Sequence, residues 1–178
     1  MKVHTTPDPF LRKTAKSVAK LDKKVLKEIF EMITTLQAAT DPEGVGLAAT
    51  QVGLDRRIFI VILGGKPEVF INPVITAHSQ AMFSDTYKKN KDRWLEGCLS
   101  IPRIWGFVDR PYWIEIDYFT NVNDQLTPKH RKFEAMESAF VQHENDHLNG
   151  ILFTDHILIQ GGEILKETET GLHPIDKI

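Results

Sequence analysis

Apolar residues recur at three- and four-residue spacing through Val25, Leu26, Ile29, Phe30, Ile33 and Leu36, and Asp22 is placed to cap the first turn. This spacing predicts an amphipathic helix running to about Ala39. The period then changes. "RRIFIVIL" and "EVFINPVIT" are rich in β-branched and aromatic residues on either side of the turn residues "GGKPE", which predicts a hairpin. "YWIEIDYF" alternates, with Tyr112, Ile114, Ile116 and Tyr118 on one face and Trp113, Glu115, Asp117 and Phe119 on the other, as a strand would. A second helical stripe, Phe133, Met136, Ala139, Phe140, His143 and His147, predicts a helix from about Phe133 to Leu148, closed by Gly150.

Between these elements, "DPEGVGLAATQVG" reads as a Gly-rich loop, "SDTYKKNKDRW" as an exposed excursion and "TNVNDQLTPKH" as a further loop. Pro7 and Pro9 allow only a short helical turn near the start, around Phe10 to Lys16. "ILFTDHILIQ" is apolar again, and the tail over 161–178 is polar, expected to be peripheral and partly helical. Helices and strands are segregated rather than alternating, so the expected class is α+β, with antiparallel strands packed around the second helix.

Composition narrows the function. A chain of 178 residues that is 42% hydrophobic can bury one proper core, and a single domain is expected. Lys and Arg number 22 against 24 acidic residues, so no net field draws the chain to nucleic acid or to an anionic membrane. A small molecule or a peptide is the expected substrate. Cys98 is the only cysteine, which excludes an intramolecular disulfide and suits a reducing compartment. The start "MKVHTTPDPF" has neither an apolar signal core nor an Arg-rich presequence, and "IFIVIL" is too short to span a bilayer. The expected location is the cytoplasm.

The chemistry concentrates in "QHENDHLNG". His143 and His147 are one helical turn apart on one face, so two imidazoles can reach one ion. Glu144 stands beside the first, where a carboxylate can take a proton from an activated water. Such a His-Glu-x-x-His pattern needs a third ligand. The metzincin position is Phe153, which cannot serve. Glu163 or Glu167 could serve in a gluzincin-type peptidase, and Cys98 in "EGCLS" is a soft alternative suited to zinc or iron. Glu96 or Asp146 could fix the tautomer of a ligand histidine. Met136, Ala139 and Phe140 lie seven, four and three positions before His143 and could wall a pocket on the histidine face. His4, His78, His130, His156 and His173 match no ligand spacing and are expected to face solvent.

Three stretches in order, "GVGLAATQVG", "EGCLSIP" and "QHENDHLNG", resemble the three motifs of peptide deformylases. The similarity extends to "PDPFLR" and "VDRP" and reaches about Phe153; the excursion from Ser84 to Arg93, the loop from Asn121 to Lys132 and the tail are this chain's own. In that loop Asp124 stands without the glycine that usually follows an acidic residue in the family's turn. The resemblance implies removal of the formyl group from N-formyl-methionyl nascent peptides. It implies Cys98, His143 and His147 as metal ligands, Glu144 as base and then acid, and the Gln51 side chain with the Leu99 N–H as oxyanion donors. An extended substrate would lie beside Gly44, Val45 and Gly46, whose glycines would let its backbone come close. The implied metal is ferrous iron, with nickel, cobalt or zinc as substitutes, in a bacterial cytoplasm and possibly near the ribosome; oligomeric state is left open. A gluzincin-type peptidase and a non-catalytic binding module on the same fold are the alternatives.

Overall fold

The structure, a computed structural model, describes residues 1–41, 43–87 and 93–175. The first helix, α1 (Lys23–Gln37), begins as expected, with the Asp22 carboxylate accepting from the Val25 N–H. Its buried stripe is Val25, Ile29, Met32 and Leu36, whereas Phe30 is 69% exposed. Phe30 keeps the four-residue spacing from Leu26 but directly follows Ile29. At 100° further round, it points away from the sheet that α1 covers.

The Gly-rich segment is more ordered than a loop: it forms β1 (Gly46–Ala48) and a 3-10 turn, Ala49–Val52. The expected hairpin is present as β2 (Ile58–Leu63) and β3 (Lys66–His78). The polar excursion opens with a 3-10 turn, Phe83–Thr86, in which Phe83 is buried, and its residues 88–92 lie outside the described ones. The chain returns as β4 (Glu96–Cys98) and β5 (Ile101–Gly106), followed by β6 (Trp113–Val122) with the alternation expected of it.

"TNVNDQLTPKH" is not a loop. It holds the end of β6, a two-residue turn and most of β7 (Gln125–Glu134), paired in unbroken antiparallel register from Val122↔Gln125 to Trp113↔Glu134. Phe133 accordingly belongs to β7, and the second helix, α2 (Ala135–His147), starts two residues later than its stripe suggested. Beyond it lie α3 (Phe153–Ile159) and a hairpin of β8 (Ile164–Thr168) and β9 (Gly171–Ile175), where a partly helical tail was expected.

The strands make two antiparallel sheets, ordered β1-β2-β3-β6-β7 and β4-β5-β8-β9. The larger is covered on both faces, which explains why "IFIVIL" is apolar throughout rather than alternating. Ile58 and Ile60 pack with Val25, Ile29, Met32 and Leu36 of α1. Phe59, Val61 and Leu63 point the other way and pack with Val141 and Leu148 around α2. The smaller sheet shares a third core with α3, in which Cys98, Ile101, Ile104 and Ile164 meet Phe153 and Ile157. Two edge strands, β1 and β4, are brought beside α2 at the seam between the sheets. Among the described residues, no helix is long and apolar enough to cross a membrane.

Candidate metal centre

The seam assembles the residues that the sequence scattered. Cys98 at the end of β4 and His143 and His147 on α2 offer ligand atoms that all lie within 4.8 Å of one another. Cys98 Sγ stands 3.2 Å from His147 Nε2, and the two imidazole rings are 4.9 Å apart at 78°. Glu163 and Glu167 are elsewhere: both are exposed, and Glu167 accepts a hydrogen bond from Trp105 Nε1 at 3.0 Å. The gluzincin arrangement is therefore not built. A thiolate on a neighbouring strand is the third group that α2 meets.

A charged chain runs behind the histidines. His143 Nδ1 lies 2.9 Å from Glu96 Oε2, which leaves Nε2 as the nitrogen free to face the centre. Arg110 binds both oxygens of Glu96 and reaches Asp146 Oδ2 at 2.8 Å, and Asp146 in turn pairs with His156 Nε2 at 2.9 Å. Glu96 thus takes the tautomer-setting position, while Asp146 serves Arg110. Burial pushes the Glu96 carboxyl up, but the Arg110 charge and the His143 hydrogen bond outweigh it and hold it at about 2. Burial likewise pushes the Cys98 thiol up, yet the His147 and His143 imidazoles draw it down to about 5, which favours thiolate. Of the histidines expected to face solvent, His78, His130 and His173 do. His4 and His156 are half-buried because Asp8 and Asp146 hold them.

Glu144 is buried, and its Oε2 has no hydrogen-bond partner among the described residues. Burial raises its carboxyl to about 7 against the lowering effect of the two histidines. A Cβ on Gly46 would collide with this carboxylate, and one on Gly44 would sit 2.7 Å from Leu36 Cδ1. At both positions the space a side chain would take is held by the protein's own atoms, and both glycines line the cleft over the centre. Gln51 is oriented without ambiguity: its Oε1 accepts from the Ala48 N–H at 2.8 Å, so Nε2 faces Ser100 Oγ at 3.1 Å and Cys98 Sγ at 3.5 Å.

A cleft of about 200 Å³ opens over these groups, lined by Gly44, Val45, Gly46, Gln51, Leu99 and Phe140 among others. Met136 and Ala139 do not line it. Ala139 is buried, because four residues before His143 the helix already faces the core. Sequence reasoning missed Glu43, Trp94, Leu95 and Trp105 in the lining and Arg110 behind it. Two tryptophans flanking "EGCLS" were the available signal; the buried role of Arg110 had none, since its partners lie 14 and 36 residues away.

Comparison with known proteins points to one family. The family model for polypeptide deformylase matches residues 1–161. The peptide deformylase of Synechococcus sp. (strain RCC307) is 38% identical over 88% of this chain and 73% of its own length. That of Brucella suis biovar 1 (strain 1330) is 36% identical over 85% and 81% respectively. Among solved structures, the Thermotoga maritima peptide deformylase superposes with a TM-score of 0.75 at 34% identity, covering 87% of this chain and 95% of that one. The Synechococcus elongatus peptide deformylase, solved in complex with actinonin, gives 0.75 at 33% identity, covering 88% and 78%.

Proposed function

This chain belongs to the polypeptide deformylase family, and we propose that it removes the N-formyl group from the N-terminal methionine of new polypeptides, releasing formate. Residues 1–178 act as one catalytic domain. The observation that carries the reading is the buried Glu144 carboxylate, without a partner at Oε2 among the described residues, beside three ligand atoms of one thiol and two imidazoles.

The donor set suits a divalent ion: a thiol drawn toward thiolate and two imidazoles, one with its tautomer set by Glu96. Cys98, His143 and His147 would hold it, with ferrous iron as the native metal and nickel, cobalt or zinc as substitutes. When bound, such an ion acidifies water and polarises the formyl carbonyl. Glu144 takes a proton from the water as its oxygen adds to the formyl carbon. Gln51 Nε2 and the Leu99 N–H donate to the oxyanion that develops, a task for which each donor is typically worth about 100- to 1,000-fold in turnover. Glu144 then passes its proton to the departing nitrogen, so that the C–N bond breaks to a neutral amine and formate leaves. A carboxyl near neutrality can perform both transfers.

The substrate's extended backbone adds alongside β1, an edge strand whose rim residue Val45 is 43% exposed. Phe140, with Trp94 packed edge-on against it at 5.7 Å, forms an apolar wall on the helix side of the cleft for the methionine side chain. Access to nascent chains places the protein near the ribosome in a bacterial cytoplasm.

The test is formate release from formyl-Met-Ala-Ser by anaerobic, nickel-loaded protein. Glu144→Ala should abolish release and retain the metal by elemental analysis; Cys98→Ser should lose both. Undiminished release by Glu144→Ala would sink the assignment of the base, and no release by folded, metal-loaded wild type would sink the activity. Zinc alone in anaerobically purified protein would overturn the choice of iron.

A further inference from the structure

Trp105 lies on β5 directly opposite Gly97 of β4 on one side and Leu165 of β8 on the other. Its indole crosses the face of the smaller sheet. At one end, Nε1 donates to Glu167 Oε2 at 3.0 Å, two residues along β8 from Leu165 and so diagonal to Trp105. At the other, the benzo edge lies so close over Gly97 that a Cβ there would be 2.6 Å from Cζ3. Trp105, Gly97 and Leu99 line the cleft from the strands, as Phe140 does from α2, and Gly97 immediately precedes Cys98. The hydrogen-bonding residue comes from the C-terminal hairpin, beyond residue 161 where the family model ends.

We infer that Trp105 is a specificity-determining residue that packs against apolar side chains following the formyl-methionine, and that Glu167 is its positioning residue. Two features of the ring support this. A half-buried indole in a cleft wall presents a flat apolar surface that gains from covering by a substrate side chain. Its single polar atom is taken up by Glu167, so the ring can be covered without stranding a donor. Trp105 and Phe140 line the same cleft from different elements, β5 and α2. In an extended peptide, successive side chains alternate sides, so a methionine on the helix wall directs its successor to the strand wall. The inference rests on the deformylase reading of the cleft and adds its choice among substrates.

The test compares formyl-Met-Phe-Ser with formyl-Met-Asp-Ser on nickel-loaded protein, by formate release and by calorimetric binding to the Glu144→Ala form. Wild type should prefer the phenylalanine peptide. Trp105→Ala should lose about tenfold of that preference, through KM with kcat little changed, as expected for one apolar contact. Glu167→Ala should lose part of it, and Glu167→Gln, which keeps an acceptor, should recover it. Trp105→Phe keeps a ring without the N–H, so adding Glu167→Ala to it should change nothing. An unaltered peptide ratio in Trp105→Ala and Glu167→Ala, with formate still released, overturns this inference and leaves the deformylase reading intact. Should wild type release no formate, that reading fails, and calorimetry still decides the role of Trp105: equal binding of both peptides by every variant, or binding of neither, overturns it.

Discussion

Arg110 shows how much of the centre depends on a residue that touches no substrate. It is 4% exposed, between the buried Glu96 carboxylate, which holds His143, and the half-buried Asp146. Replacing it with Met fills similar space but leaves Glu96 and Asp146 without their cation. Arg110→Met should cost about 3–5 kcal/mol in urea unfolding of the metal-free protein, the usual penalty for breaking a buried ion pair from one side. A loss below about 1 kcal/mol would mean that the two carboxylates are not charged in the fold. The motif residues were legible in the sequence because helical periodicity puts His143 and His147 on one face. Glu96 and Asp146 were legible only as a pair of options, and the position of Arg110 between them decided which does what.

Among the elements, the β6–β7 hairpin is where local reading failed most plainly. Its turn residues, Asn123 and Asp124, both have positive φ, 51° and 62°, and the Asp124 N–H donates to Asn121 Oδ1 at 2.9 Å. This is the mirror-image turn that matches strand twist, made here without the expected glycine. Asn and Asp tolerate the left-handed region better than most residues, at some cost. Asp124→Gly should relieve that cost and raise stability by up to about 1 kcal/mol in thermal unfolding, with activity unchanged. Destabilisation instead would show that the Asp124 side chain contributes more than its backbone strain costs. At the far end of β7, Ala135 takes φ 50° and turns the strand directly into α2. No Gly, Pro or cap residue marks that junction, so the sequence pattern runs the helical stripe back to Phe133.

At the scale of the molecule, the N-terminal segment is tied to α3 by Arg12, whose guanidinium binds both oxygens of Asp155 across 143 residues of chain. Burial raises the Asp155 carboxyl, but hydrogen bonds from Arg12 and the Leu152 N–H, with the Arg12 charge, hold it below its ordinary 3.8. A carboxyl lowered on folding stabilises the protein above its unfolded pKa and loses that contribution as pH falls through and below it. Asp155→Asn should therefore unfold at a lower temperature than wild type near pH 7, by an amount reflecting about 0.5–1 kcal/mol for a partly exposed pair. The gap should begin to close as pH falls below about 4. A gap that stays constant over that range would show that the pair is neutral or fully solvated.

The helix of α1, the β2–β3 hairpin, the strand β6 and the one-face pairing of His143 with His147 all follow from the chain alone. Each is specified by side-chain periodicity over a few turns or a few strand positions, and periodicity is a local property. The order of the three motifs was equally plain in the sequence and named the family. The covering of both faces of the larger sheet was decided by tertiary packing, as was the meeting of the edge strands β1 and β4 at α2. So too were the choice of Cys98 over Glu163 or Glu167, the Glu96–Arg110–Asp146 chain, and the passage of the tail into a hairpin whose Glu167 holds Trp105. These depend on groups tens of residues apart being brought within hydrogen-bond distance. A linear pattern can list such groups as options, but only packing and the desolvation of their charges select among them.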